Sequence, residues 1–161
     1  MRVVIQLTLL VGNGNIASQT NIRFDNHSCF RRRKNMIKKI QGLVEEMAQE
    51  LPHILAVAVV TVDDGMSIAE ATRREGIETA AASAYLASIV KSNSKAINLL
   101  ADNEIIDDIL ITTDQYHFII RHMPDQPFFI FLMTSKEEWL AKARMVIKKY
   151  EPKFTGLSEA L

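Results

Sequence analysis

Four histidines, one cysteine and two pairs of adjacent aspartates are the side chains in this sequence with the chemistry to bind a metal ion or act in catalysis. His117 and His122 lie five positions apart on one predicted strand, and side-chain alternation along a strand directs them to opposite faces of a sheet. His53 follows Pro52, which ends a predicted helix, and His27 lies in a stretch without a periodic pattern. We therefore predict no metal site.

The same set of side chains gives no constellation for catalysis. The thiol of Cys29 lies two positions from His27, in a segment without a predicted helix or strand to hold a nucleophile in place. The members of Asp63-Asp64 and of Asp107-Asp108 diverge if they lie on a strand, which favours turn and edge roles. The sequence contains neither a G-x-S-x-G elbow nor a G-x-x-x-x-G-K-[ST] phosphate loop. We predict a protein that is not an enzyme, with no catalytic residue, no cofactor-binding residue and no cofactor.

Charge is distributed unevenly along the chain, although its formal net charge is zero. Residues 1–35 contain six Lys or Arg and one acid, whereas the remainder contains 13 basic and 18 acidic residues. An acidic body is poorly suited to neutralising phosphates, so we predict no nucleic-acid partner. The single cysteine cannot form an intrachain disulfide, which is typical of a reducing compartment. We expect a cytoplasmic protein.

Apolar runs in the sequence are too short for a membrane span, which needs about 18 residues or more. The run from Val3 to Val11 resembles the apolar part of a signal peptide, but Gln6 and Thr8 interrupt it. We predict no membrane-spanning segment.

The elements that would position any site begin abruptly at Met36. Before it, residues 1–35 lack periodicity and end in the basic run Arg31 to Lys34, which predicts a disordered basic extension. We assign a folded domain to residues 36–154 and a C-terminal tail to residues 155–161. Two interpretations of the extension stay open: it is translated upstream sequence before a functional start at Met36, or it is a basic tail that contacts an anionic partner or membrane surface.

Five strands are predicted between the first helix, which Pro52 ends, and a last helix. Asp63-Asp64-Gly65 has the chemistry of a tight hairpin turn between the first two strands, and short polar segments separate the last three. The predicted strands are Ile54 to Val62, Met66 to Thr72, Ile105 to Thr113, Tyr116 to Met123 and Pro127 to Met133.

Two further helices are predicted. An alanine-rich stretch from Glu75 to Ala101 predicts a long helix with one bulky face, which includes Leu100, and one small polar face. For the last helix we predict an N-cap at Ser135, a buried face that includes Trp139, and an end just before Pro152.

The hairpin and the long helix carry a family resemblance. The segment Val57 to Ala69, which reads VAVVTVDDGMSIA, followed by TAAASAYL from Thr79 to Leu86, resembles the Roadblock/dynein light chain family, as does the order of elements from about Met36 to Phe154. The resemblance implies an α+β fold of profilin-like three-layer α/β/α type: a five-stranded antiparallel sheet of order 2-1-5-4-3 with helices on both faces. The first and last helices would lie on one face and the long helix on the other.

The resemblance also implies a function. Members of this family dimerise through the long helix and the third strand, and they regulate or scaffold Ras-like GTPases or dynein-type motors without catalytic groups. In bacterial gliding and twitching systems, such a homodimer activates its GTPase. We therefore expect a homodimeric regulator or scaffold of a small Ras-like GTPase or motor-type assembly, acting by protein-protein contact. The expected dimer interface consists of Ala81, Ala84, Ser88, Ile109 and Ile111.

Two rival interpretations remain. The chain is a ligand-sensing or oligomerisation module on a profilin-like fold, or an enzyme with an unrecognised site. A small-GTPase gene beside this one favours the regulator, a ligand that co-purifies favours the module, and turnover in a substrate screen favours the enzyme.

Overall fold

The computed structural model describes residues 26–101, 104–123 and 126–158, and the side chains of 31–157 within those ranges. Its elements in chain order are α1 (Asn26–Glu50), β1 (Ile54–Thr61), β2 (Ser67–Thr72), α2 (Thr79–Leu100), β3 (Asp108–Thr112), β4 (Tyr116–His122), β5 (Phe128–Ser135) and α3 (Leu140–Ser158). None of the described helices combines the length and apolarity needed to cross a bilayer.

The five strands form one antiparallel sheet of order β2-β1-β5-β4-β3, which confirms the predicted order. Strand β5 lies at its centre because Phe128 to Leu132 is apolar on both faces and buried throughout. Alternation sends Phe128 and Ile130 to the face covered by α1 and α3, and Phe129 and Phe131 to the face covered by α2. The predicted three layers are therefore confirmed.

Helix boundaries differ from the predicted ones in each of the three helices. Helix α1 begins at Asn26, ten residues before Met36, so the predicted start is wrong; the exposed residues 31–35 show no apolar stripe to reveal the extra turns. Helix α2 begins at Thr79 rather than Glu75, because Gly76 takes a positive φ of 82° that a helix does not allow. Residues 1–25 lie outside the described part of the chain.

Helix α3 was mispredicted at both ends. It begins at Leu140, which leaves Trp139 79% exposed rather than buried, and Ser135 is the last residue of β5 instead of a helix cap. It also continues beyond Pro152 to Ser158, through residues assigned to the tail. Continuation is favourable because Phe154 is fully buried and packs edge-on against Phe128.

Candidate functional site

Strand β3 forms one edge of the sheet, and β4 is its only neighbour among the described strands. Ile109 is half-buried against the core beneath α2, and Ile111 lies on the same face, 36% exposed. On the other face Leu110 is 37% exposed. An edge strand with apolar side chains on both faces offers unpaired backbone groups to another strand.

The opposite edge, β2, is occupied by a side chain of α1. The amide nitrogen of Gln41 donates to the backbone oxygen of Glu70 at 3.0 Å, and the backbone nitrogen of Glu70 donates to the amide oxygen of Gln41 at 3.3 Å. This pair of bonds satisfies the outward-facing backbone groups of Glu70, so another strand could not pair there without displacing Gln41.

Helix α2 rests on the sheet through Leu86, Ala87 and Val90, and it packs over β1, β2 and β4. The three interface residues predicted on this helix, Ala81, Ala84 and Ser88, are all exposed and share one face of it. Their spacing along α2 brings these three residues together, whereas Ile109 and Ile111 lie on a different element, β3.

The β1–β2 hairpin approaches α2 more closely than any bulky residue would allow. Gly65 has a φ of 69°, and a Cβ built on it would lie 2.7 Å from the Cα of Ala84 and 3.3 Å from the Cβ of Ala87. The ammonium of Lys91 donates to the backbone oxygen of Asp63 at 2.6 Å. The small residues of α2 thus have a role within the chain: they admit its own hairpin.

The turn of this hairpin is fixed by Asp64. Its carboxylate accepts hydrogen bonds from the Thr61 hydroxyl and from the backbone nitrogen of Met66, the latter at 3.1 Å. These bonds, the one from Thr61 first, hold the pKa of Asp64 below its usual value. The Asp-Gly pair in the sequence therefore forms a structural turn, and this turn packs against α2.

Tyr85 is a candidate contact residue that sequence reasoning missed. It is 77% exposed on α2, directly after Ala84. Lys91 marks the flank of α2 that contacts the hairpin. Successive residues on a helix are about 100° apart, so Tyr85 lies farther around the helix from that flank than Ala84 does. Tyr85 is therefore nearer the side of α2 that faces β4 and β3. Further exposed apolar residues lie at the end of this helix and just after it; they are Leu99, Leu100 and Ile105, each at least 64% exposed. A helical plot that looks only for small residues passes over this flank.

The residues considered for chemistry are dispersed. His117 and His122 lie on opposite faces of β4, as predicted, and the Nδ1 of His53 lies 3.1 Å from a carboxylate oxygen of Glu137. Burial lowers the pKa of His122, whose Nδ1 is buried without a hydrogen-bond partner. Within the described ranges, no three His, Cys, Asp or Glu side chains are grouped closely enough to hold a metal ion.

The second aspartate pair belongs to a cluster of ion pairs between β3, β4 and α3. Asp108 binds the Arg144 guanidinium at 2.9 Å, while Arg121 lies 3.6 Å from Asp107 and 3.1 Å from Glu151. A shallow cleft of about 350 Å³ lies beside them. Because its two guanidinium groups bridge carboxylates from different elements, the main effect of the cluster is to join α3 to the β3 side of the sheet.

The sequence matches no family model and no curated protein. The fold does match solved structures. MglB of Myxococcus xanthus aligns with a TM-score of 0.69 at 18% identity, covering 76% of this chain and 97% of that one. A structure described as MglB with tetrameric arrangement aligns with a TM-score of 0.69 at 12% identity, covering 78% and 93%.

A third match carries the name of the architecture. A Roadblock/LC7 domain from Streptomyces avermitilis aligns with a TM-score of 0.60 at 13% identity, covering 71% of this chain and 97% of that domain. Identities this low establish the fold alone. The strand order, the two helical layers and these alignments together show that the chain has the Roadblock/LC7 fold.

Proposed function

We propose that this protein is a homodimeric regulator or scaffold of a small Ras-like GTPase or motor-type assembly, which acts in the cytoplasm by protein-protein contact and carries no catalytic groups. The observation that carries the proposal is the open β3 edge beside α2 in a Roadblock/LC7 fold. A related fold is described in a tetrameric arrangement, which is a property of that MglB structure and favours self-association here only by analogy.

Strand pairing is the first step of the proposed dimer. Two copies of β3 would pair antiparallel about a twofold axis, which is the commonest symmetry of soluble oligomers. Pairing would give the outer backbone groups of β3 hydrogen-bond partners and would cover Ile109 and Ile111. The sheet would then run through both subunits.

Helix α2 is the second part of the proposed interface. Its exposed small residues Ala81, Ala84 and Ser88 permit close approach of the partner's helix. The hairpin already occupies the Ala84 backbone on one flank, so we add Tyr85 as the side chain on the β3 side that a partner helix would cover. Tyrosine is enriched at such contacts because its ring buries a large apolar area while its hydroxyl keeps a polar partner.

Substitution of Ile111 tests the dimer. Ile111 is partly exposed, so Ile111→Arg should fold, yet it would place a charge at the paired edge twice per dimer. We expect light scattering to show a dimer for the parent chain and a monomer for Ile111→Arg. The matched control is Thr72→Arg, an exposed position on the other edge strand, which should stay dimeric.

Ala84→Arg then separates the two parts of the interface. If it is monomeric as well, helix and strand both contribute; if it remains dimeric while Ile111→Arg does not, the strand alone makes the contact. A parent chain that is monomeric across the micromolar range would overturn the dimer and the interface with it.

The partner is tested with small Ras-like GTPases from the same genome. Each is loaded with GDP or with a non-hydrolysable GTP analogue and titrated against the protein, with calorimetry as the readout. The proposal predicts that one of them binds, with an affinity that differs between the two nucleotide states. Equal absence of binding for all of them in both states would leave the GTPase role without support.

A further inference from the structure

The part of α1 before Ile40 carries six exposed cations. Residues Arg31, Arg32, Arg33 and Lys34 are all exposed, and Lys38 and Lys39 follow, exposed as well. Between Asn26 and Val44 the helix contains no acidic residue. None of these six cations forms an ion pair or hydrogen bond with another described residue.

Helical spacing places three of these charges on the face opposite the buried one. Met36 and Ile40 are buried against the sheet, and they lie four residues apart on one face. Arg31, Lys34 and Lys38 share the opposite face at the same spacing. The result is a basic stripe along α1 whose first part lies ahead of Met36, the first buried side chain of the described part of the chain.

This arrangement is unfavourable for the isolated protein. Like charges three or four residues apart on a helix repel. The acids of α1, by contrast, come late: Glu46 and Glu50 pair with Lys153 and Lys149 of α3. The cations of the basic stripe have no such partners of opposite charge within the described part of the chain. An external anionic surface would supply them.

We propose that the basic stripe of α1 binds the surface of a bilayer that contains anionic lipids. Six exposed Lys and Arg lie between Arg31 and Lys39, which is in the range of about four to eight clustered cations that binds such membranes. A nucleic acid fits less well, because the acidic body repels a phosphate backbone wrapped close to it.

Vesicle binding by the full chain tests the proposal. Co-sedimentation is measured with vesicles of phosphatidylcholine alone and with vesicles that contain phosphatidylglycerol as about one lipid in three. We expect binding only to the anionic vesicles, and we expect it to weaken as salt shortens the screening length. Each cation near the surface should contribute on the order of a fivefold change in affinity, so Arg31→Gln with Lys34→Gln should weaken binding about 25-fold.

A control of equal charge makes the result specific. Lys136 and Lys148 are exposed cations away from α1, and replacing both by Gln should leave vesicle binding within about twofold of the parent. The proposal fails if the parent does not bind the anionic vesicles in about 0.1 M salt, where screening is moderate. It also fails if the two double variants lose affinity equally, or if duplex DNA of the same phosphate concentration displaces the vesicles. None of these outcomes depends on whether the proposed dimer forms.

Discussion

The two edges of this sheet differ in what covers them. At β2, the amide of Gln41 from α1 forms hydrogen bonds with both backbone groups of Glu70. At β3, no other described element occupies the outer edge, and Ile111 and Leu110 are each more than a third exposed on its two faces. The sheet is thus closed at one end and open at the other.

The difference shows how a sheet can be limited to extension in one direction. A protein whose two edges were both open would pair without closure and risk fibres, whereas one open edge per chain closes after two copies. A single glutamine about four turns into α1 suffices for the closed edge because it satisfies a donor and an acceptor at once.

The largest effect is expected from a substitution in the central strand of the sheet, on which both edges depend. Phe129 in β5 is fully buried beneath α2, between β1 and β4. Phe129→Ala should lower the free energy of unfolding by about 3 to 5 kcal/mol through lost burial and the cavity it leaves. Urea denaturation followed by circular dichroism measures this. A loss below about 1 kcal/mol would mean that the strand is not central and that the comparison of its edges is misplaced.

A smaller effect is expected at the hairpin, which fixes the β2 side of the sheet against α2. Gly65→Ala meets two penalties: about 1 to 2 kcal/mol for an L-residue in the left-handed region, and about 1 to 3 kcal/mol for the clash with the Ala84 backbone. Gly76 is the matched control, since its φ is also positive and nothing lies within 4 Å of an added Cβ. Gly76→Ala should cost the first penalty only. Equal losses for both variants would show that the hairpin does not pack tightly on α2.

Opening the closed edge tests the comparison directly. Gln41→Ala leaves the backbone groups of Glu70 to water, which should cost about 1 kcal/mol in stability. More important, the variant should form species larger than the parent in light scattering as concentration rises, because both edges are then free to pair. Gln49→Ala, exposed on the same helix, is the control. If Gln41→Ala behaves as the control does, another feature closes β2.

The parts of the fold that follow from strong periodicity were predictable from sequence. Phe128 to Leu132 is apolar on both faces, which indicated a central strand, and the Asp63 to Gly65 turn indicated the first hairpin. The strand order came from the family resemblance, since strand patterns alone do not specify which strands are neighbours. Those features are confirmed.

The errors arose where a local signal competed with burial. Pro152 was expected to end α3, yet burial of Phe154 offsets the lost hydrogen bond. Trp139 fits the spacing of the buried stripe but precedes the helix, so it is exposed. The closing bond of Gln41 with Glu70 spans 29 residues, and no pattern in the sequence marks it. The proposed interface residues depend in the same way on a second chain and stay predictions.

Acid should weaken the contact between α1 and α3 that holds α1 over the closed edge. The Glu50 carboxylate accepts bonds from the Lys149 ammonium at 2.6 Å and from the Tyr150 hydroxyl at 2.7 Å, and these, the first above all, lower its pKa from the usual value near 4.5. Because the pKa of Glu50 is lower in the folded than in the unfolded protein, its charge stabilises the fold above about pH 4.5. This stabilisation is lost as the pH falls through the folded pKa. Glu50→Gln should therefore lower the free energy of unfolding by about 1 kcal/mol at pH 7. The difference in this free energy between variant and parent should be smaller at pH 3. A gap that is unchanged between those pH values would contradict the role assigned to the charge. The lowered pKa of His122 adds a separate decline in stability, which is the same in parent and variant and begins as the pH falls below about 6.5.

The smallest effect is expected from removing residues 1–35. We propose that the folded domain spans residues 36–154; the side chains at 31–35 are exposed, whereas Met36 is buried and Gln41, which closes the β2 edge, follows it. A chain that starts at Met36 should therefore match the full chain within about 0.5 kcal/mol in the free energy of unfolding, because the described side chains that it loses, those of residues 31–35, are exposed. It should also keep the oligomeric state of the full chain, since both edges of the sheet are intact. Loss of the first turns of α1 shortens a helix whose remaining stability comes from packing of its apolar face, so circular dichroism should show the loss of the helical signal of residues 26–35. A drop of several kcal/mol would place part of the basic extension in the fold. New association in the shortened chain would instead show that the extension, as well as Gln41, protects the closed edge.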